Sequence, residues 1–249
     1  MTKGRSGMTS VTFRGKTVAQ VIAIATKANL KGIEWGSDVH VPVGDIAWAE
    51  KVGEMTRYAG LEVFSYGAYL NVGESGFAEI AQTALALGCK TIRIWPPKPS
   101  TAKATNADFD KAINALKEIS KTAAEYGVTV CMEWHNGRLN DCAESSLRML
   151  KGVGENNIRT YWQPINTYPD NIRNIHAMTG YIENVHVYNW IYGSPTVRLP
   201  LAANREDWEK YIDALGYRNY ILEFTAGDDD NNFLADVRTL KELLNEDVE

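Results

Sequence analysis

Thr129-Val130-Cys131-Met132-Glu133-Trp134-His135 decides how this chain is read. The run is short, β-branched and apolar, and it ends on an acid, an indole and an imidazole. Side chains alternate faces along a strand, so Cys131, Glu133 and His135 point the same way. Upstream, Phe109, Ile113, Leu116 and Ala123 recur at helical spacing until Gly127 stops the pattern. Downstream, Asp141 with Glu144 reads as a capping box that opens a second helix. A strand flanked by two amphipathic helices is one turn of a β/α repeat.

The same rhythm fills the chain. Strands are expected near Met8–Thr12, Gly32–Trp35, Leu61–Tyr66, Thr91–Trp95, Thr129–Trp134, Arg159–Gln163, Asn184–Tyr188 and Tyr220–Phe224. Each unit takes roughly 30 residues, the size of a β/α module. Thr17 with Gln20 is another capping box, and Pro169 stands where a first helical turn would begin. The stripe Trp208, Tyr211, Ile212 and Leu215 follows Asn204 and ends at Gly216, and Phe233, Leu234, Val237, Leu240 and Leu244 form the last one. No strand is followed by GxGxxG, and GxxxxGK[ST] does not occur, which weakens an open nucleotide-binding sheet. Even spacing without a break in composition predicts an α/β chain whose residues 1–249 form a single (β/α)8 TIM barrel domain.

Composition narrows the function. The 249 residues are 45% hydrophobic and 23% charged, which excludes collagen, long disorder and coiled coil. A net charge of −5 lacks the basic field that nucleic-acid binding needs, so no nucleic-acid partner is expected. No apolar run of ~18 residues is present, so no membrane partner is expected either. The N-terminal residues lack an apolar signal-peptide core, and Cys89, Cys131 and Cys142 show no CxxC spacing. Reduced thiols and a cytoplasmic location are the expectation.

Barrels of this kind carry their chemistry at the C-terminal ends of the strands. The polar residues there are Arg14, His40, Tyr66, Arg93, Glu133, His135, Gln163, His186, Asn189 and Glu223. Three of the four histidines fall in this set; His176 lies in a predicted helix and reads as structural or surface. Two carboxylates, Glu133 and Glu223, entering one dry lumen would repel and lose hydration, at a cost of several kcal/mol unless compensated. A divalent cation compensates best, and His186 adds a neutral nitrogen ligand. Alternatively, Glu133 pairs with Arg93, and Glu34 with Arg93 forms a buried ion pair. Trp35, Tyr66, Trp95, Trp134 and Trp190 cluster at strand ends, where aromatic faces suit either the C–H face of a sugar or core packing. Asp228, Asp229 and Asp230 read as a solvated run ahead of a helix N-terminus.

These residues resemble the xylose isomerase-like TIM-barrel superfamily, in its sugar phosphate isomerase/epimerase branch. The resemblance is carried by Gly32-Ile33-Glu34-Trp35-Gly36 with Asp38-Val39-His40-Val41-Pro42, by Arg93-Ile94-Trp95, by Glu133, by Tyr161-Trp162-Gln163-Pro164, by Asn184-Val185-His186-Val187 and by Leu222-Glu223. It implies a divalent metal ion, Mn²⁺, Mg²⁺, Co²⁺ or Zn²⁺, held by Glu133, Gln163, His186 and Glu223. Gln163 stands where the family has an acid, so the site carries one charge less. Asn166 stands where related epimerases often place a histidine, and the loop after Glu133 lacks their further glutamate.

The implied activity is isomerisation or epimerisation of a sugar, sugar phosphate or related polyol through a metal-stabilised enediolate, with Glu133 and Glu223 as catalytic acid and base. His40, Trp35, Tyr66, Trp95, His135, Asn166 and Asn189 would bind substrate. Arg198 and Arg205 are candidates for a substrate phosphate. The superfamily also contains dehydratases of inosose-like or keto-cyclitol substrates, which would share the proton abstraction. A non-catalytic sugar-binding barrel is the other alternative, and the resemblance carries a homo-oligomer among its expectations. A multi-zinc phosphodiesterase of the endonuclease IV kind would need more histidines and a more basic surface.

Overall fold

The structure, a computed structural model, describes residues 1–165 and 170–248; Asn166 and Pro169 lie outside the described residues. Along the chain come β1 (Arg5–Thr9), α1 (Val18–Lys27), β2 (Gly32–Gly36), α2 (Ile46–Tyr58), β3 (Glu62–Asn71), α3 (Phe77–Leu87), β4 (Thr91–Trp95) and α4 (Asn106–Tyr126). They are followed by β5 (Thr129–Met132), α5 (Ala143–Val153), β6 (Ile158–Trp162), α6 (Asp170–Met178), β7 (Ile182–Val187), β8 (Trp190–Ile191), β9 (Val197–Arg198), α7 (Arg205–Leu215), β10 (Asn219–Leu222) and α8 (Asp230–Leu244). Parallel pairing runs β1-β10-β7-β6-β5-β4-β3-β2 and closes on itself, so the chain is a single (β/α)8 TIM barrel. No described helix is long and apolar enough to cross a membrane.

Three local expectations need correction. Ser10–Phe13 is a 3-10 turn rather than the end of the first strand, and its buried Phe13 packs edge-on against Phe233 at 5.2 Å. β3 runs five residues past Tyr66, to Asn71. The helix after β5 starts at Ala143 with Cys142 as its cap residue, so Asp141 and Glu144 form no capping box. An antiparallel ribbon, β8 with β9, also sits between β7 and α7. Asp229 in the acidic run is the N-cap of α8, accepting from the backbone of Asn231 and Asn232.

The Thr17–Gln20 box does cap α1. A second box opens α4, where Thr105 Oγ1 accepts from Asp108 N and Asp108 Oδ2 accepts from Thr105 N. Thr105→Ala removes both the cap acceptor and the reciprocal geometry. A fall of about 2–4 °C in Tm is expected, measured by thermal unfolding; an unchanged Tm would show that α4 is held by packing alone.

Two apolar layers position the site. Outside the barrel, Trp162 of β6 meets Trp208 and Tyr211 of α7 at 6.1 and 5.3 Å between ring centroids. Such edge-on aromatic pairs contribute about 0.5–1.5 kcal/mol each beyond area burial. Inside the barrel, Phe64, Cys131, Tyr161 and Ile221 form a separate buried cluster that stops the lumen from below. Gly32 makes room for it: a Cβ there would lie 2.4 Å from the Phe64 ring.

Candidate functional site

Above the apolar stopper, period-2 alternation brings a polar layer into the lumen. Its members are Glu34 (β2), Ser65 (β3), Arg93 (β4), His186 (β7), and Glu133, Gln163 and Glu223 just past β5, β6 and β10. Arg93 is its hub. Nε donates to Glu34 Oε1 at 2.9 Å and Nη1 donates to Glu133 Oε2 at 2.5 Å. Both pairings anticipated for Arg93 therefore form together. Gly67 permits the close approach, since a Cβ at that position would lie 2.5 Å from Arg93 Nη2. Glu34 also accepts from Ser65 Oγ at 2.8 Å.

His186 stands between Glu34 and the open end. Nε2 lies 3.3 Å from Glu34 Oε1, while Nδ1 lies 3.2 Å from Gln163 Oε1 and 3.5 Å from Glu223 Oε2. Gln163 Nε2 is 3.4 Å from Glu133 Oε1. Burial alone would lower the imidazole pKa, but the charges of Glu223 and Glu34 overcome it and raise it to about 10. Burial likewise pushes the Glu34 carboxyl up, yet Arg93 and then His186 hold it well below the usual carboxylate range. Burial pushes the Glu223 carboxyl up as well, but His186 and Arg93 together hold it below the usual range.

This donor set fits a divalent cation. Glu133, His186 and Glu223 are 4%, 0% and 7% exposed, and each offers a ligand atom within 4.8 Å of the others. Ligands of one ion at about 2.0–2.5 Å span that separation. An imidazole that donates from Nε2 to Glu34 keeps a lone pair on Nδ1, which then faces two further acceptor oxygens. Glu34, Glu133 and Glu223 outnumber Arg93 by two, and an ion that displaces the proton held on His186 would meet those two negative charges beside a neutral imidazole. A doubly charged ion balances them.

The other sequence candidates divide. Trp95 is half-buried at the mouth, with His135 at 4.7 Å and Tyr69 at 6.1 Å between centroids, and its buried indole N–H has no partner among the described residues. His135 is also half-buried, its Nδ1 2.8 Å from Asn136 O. Trp35 and Tyr66 are placed elsewhere. Trp35 is adjacent to Glu34 and so faces away from the lumen; it is buried and donates to Thr56 of α2. Tyr66 is buried too, with its hydroxyl on Val41 O. His40 has one ring nitrogen 3.0 Å from Ser10 Oγ and the other 3.0 Å from Lys16 O, so both are committed to the protein. Asn189 reaches the rim but donates to Pro200 O. Arg198 pairs with Asp228, and Arg205 with Glu242 of α8. His176 is exposed on α6.

Tyr69 was not foreseen, because the expected strand stopped at Tyr66; extending the alternation from Ser65 through Gly67 would have found it. Trp190 lies flat on Tyr188 at 4.0 Å and, with Phe224, extends the aromatic rim on the opposite side. Phe224 follows Glu223 with φ 59°, in the left-handed region that an aromatic residue seldom adopts. Its amide donates to Thr12 Oγ1, which helps to hold that turn.

The lumen is thus polar and open at the C-terminal ends of eight parallel strands, with two acids and an imidazole converging there. The profile of the xylose isomerase-like TIM barrels matches residues 22–243, and the chain belongs to that family. No curated protein matches the sequence. Among solved structures it is similar to the probable 3-DHS dehydratase AsbF of Bacillus anthracis, with TM-score 0.82 and 16% identity over 96% of this chain and 98% of that one. It is similar to the IOLI protein with a binding zinc atom (TM-score 0.76, 14% identity, 96% and 98% covered). It is also similar to L-ribulose 3-epimerase (TM-score 0.70, 16% identity, 96% and 94% covered).

Proposed function

We propose that this protein is a metal-dependent isomerase or epimerase of a sugar, sugar phosphate or related polyol that works by removing a proton α to a carbonyl. The observation that carries the reading is the convergence of Glu133, His186 and Glu223 on one cation-sized space at the barrel mouth. A divalent ion held there by these three, with Gln163 Oε1 beside them, would polarise the substrate carbonyl and stabilise the charge left when the proton departs.

The chain's own groups do the rest. Glu133 has Oε2 on Arg93, which leaves Oε1 toward the site. Among the described residues no hydrogen-bond donor engages Glu223 Oε1. One carboxylate takes the proton and the other returns it, so that the stereochemistry follows from which face each acid meets. Glu34 orients His186 from behind, and the buried Arg93 keeps Glu133 in place without reaching solvent. Trp95 and His135 offer a face and a ring nitrogen to the bound sugar at the open end.

The experiment is a screen of ketoses and ketose phosphates with added Mn²⁺, Mg²⁺, Co²⁺ or Zn²⁺, read by exchange of substrate protons with D₂O. Exchange that disappears with EDTA is expected. An ion at a hundredfold excess over its Kd should also stabilise the fold by about 2.7 kcal/mol. Neither exchange nor ion-dependent stabilisation would leave a sugar-binding barrel without chemistry.

A dehydratase is the second reading, favoured by His135. It follows Glu133 by two residues in the loop past β5 and is half-buried against Trp95 at the mouth, where it would protonate a departing β-hydroxyl. Absorbance from a new conjugated enone would distinguish elimination from isomerisation.

A further inference from the structure

Four arginines stand in or around the open end of the barrel, and three have carboxylate partners. Arg93 holds Glu34 and Glu133, Arg14 pairs with Asp38 and also donates to Tyr69, and Arg198 pairs with Asp228. Arg138, in the loop between β5 and α5, has no carboxylate within ion-pair distance among the described residues. Its Nη1 donates to two neutral acceptors, Asn71 Oδ1 at 3.0 Å and Pro96 O at 3.2 Å. Nε and Nη2 donate to no described residue.

The side chain is fixed rather than free. Arg138 N donates to His135 O, Leu139 N to Pro97 O, and Asn140 Nδ2 to Glu133 O at 2.7 Å, which ties the loop to the strand end that carries the site. The guanidinium carbon lies 4.8 Å from the centroid of Trp95, and Trp95 in turn packs on His135 at 4.7 Å. The group is half-buried and close enough to the site for the charges of Glu133 and Glu74 to act on it. Neither acid satisfies it: Glu133 is bound by Arg93, and Glu74 has both oxygens on Asn71.

We propose that Arg138, seated on Trp95 at the rim, receives an anionic oxygen group of the substrate, a carboxylate or a phosphate, so that the natural substrate is a sugar acid or sugar phosphate rather than a neutral ketose. The inference rests on the proposed sugar-directed chemistry of the same mouth. A planar guanidinium with an open Nε/Nη2 edge matches the two oxygens of a carboxylate or phosphate in a forked pair. The aromatic platform and the two neutral acceptors hold the cation in place without neutralising it. The anionic end of the substrate then lies on the β4–β5 side of the mouth, and its carbonyl end lies over Glu133 and Glu223.

The test uses polyols that have no aldehyde or ketone, so that binding is read apart from ketose chemistry. D-Glucitol, D-gluconate and D-glucitol 6-phosphate are titrated calorimetrically into the full-length protein with Mg²⁺ present. At least one anionic probe should bind about tenfold or more tighter than D-glucitol, and the stronger anion identifies carboxylate or phosphate as the source. Arg138→Met, or Arg138→Gln should the first not fold, should erase that preference and keep the Mg²⁺-dependent thermal shift. Equal binding of neutral and anionic probes, no binding of any probe below about 10 mM, or a preference that survives in the variant overturns the proposal. Proton exchange on neutral ketoses is measured separately, so loss of the anion site and loss of the proposed chemistry give different results.

Discussion

Glu133→Gln and Glu223→Gln should each lower the D₂O exchange rate of a substrate found in the ketose screen by about 10³-fold or more, and both should abolish ion-dependent stabilisation. The magnitude follows from two losses at once. An amide cannot accept the substrate proton, a contribution of about 10²–10⁴, and the site's negative charge, which attracts the ion, falls by one. Glutamine keeps the volume, so the apolar stopper beneath is undisturbed. The two variants differ in stability. Glu133 carries a 2.5 Å pair with buried Arg93, whereas the Glu223 side chain, among the described residues, pairs with His186 at 3.5 Å. Glu223→Gln should therefore fold nearly as well as the parent, which makes it the cleaner chemical test. Full exchange in both variants would exclude acid–base roles for these residues.

Arg93→Met should produce the largest loss of stability among these variants. The guanidinium is 2% exposed and holds Glu34 and Glu133 together across the lumen. Removing it strands two buried carboxylates, at a cost of about 3–5 kcal/mol. Chemical denaturation measures the loss. Adding Glu34→Gln should recover part of it, because one of the stranded charges goes with it. A divalent ion should stabilise this variant more than the parent, since it then supplies positive charge that Arg93 no longer provides. Arg93→Met with unchanged stability would mean that the ion network contributes nothing to the fold.

Much of the architecture was legible because period and spacing are local properties. Apolar runs separated by amphipathic stripes encoded the eight barrel strands, and alternation from Cys131 and Ile221 carried Glu133 and Glu223 into the lumen. The Glu34–Arg93–Glu133 network is readable as two separate pairings; the closed barrel shows that one guanidinium serves both. What failed were boundaries and faces. Tyr66 read as a strand end, but Gly67 and Ala68 hide the continuation to Asn71, since small residues give little strand signal. Trp35 reads as a mouth residue beside Glu34, yet consecutive residues of a regularly paired strand face opposite ways, and Trp35 turns outward to Thr56. Ser10–Phe13 reads as strand from Val11 and Thr12, yet packing against α8 curls it into a turn. Arg138 has no signal in its own segment. Its significance comes from Asn71, Trp95 and Pro96, which belong to other strands and loops.

The stopper of Phe64, Cys131, Tyr161 and Ile221 has a consequence for traffic. With the floor sealed and Arg93 filling the storey above it, the barrel is a vessel with one opening. Under the proposed function a cation and a sugar would pass the same doorway of Trp95, His135 and Trp190. The ion, seated deeper, would have to arrive first, and a bound sugar would then lock it in. Chelators should strip the resting protein quickly and the substrate-saturated protein slowly.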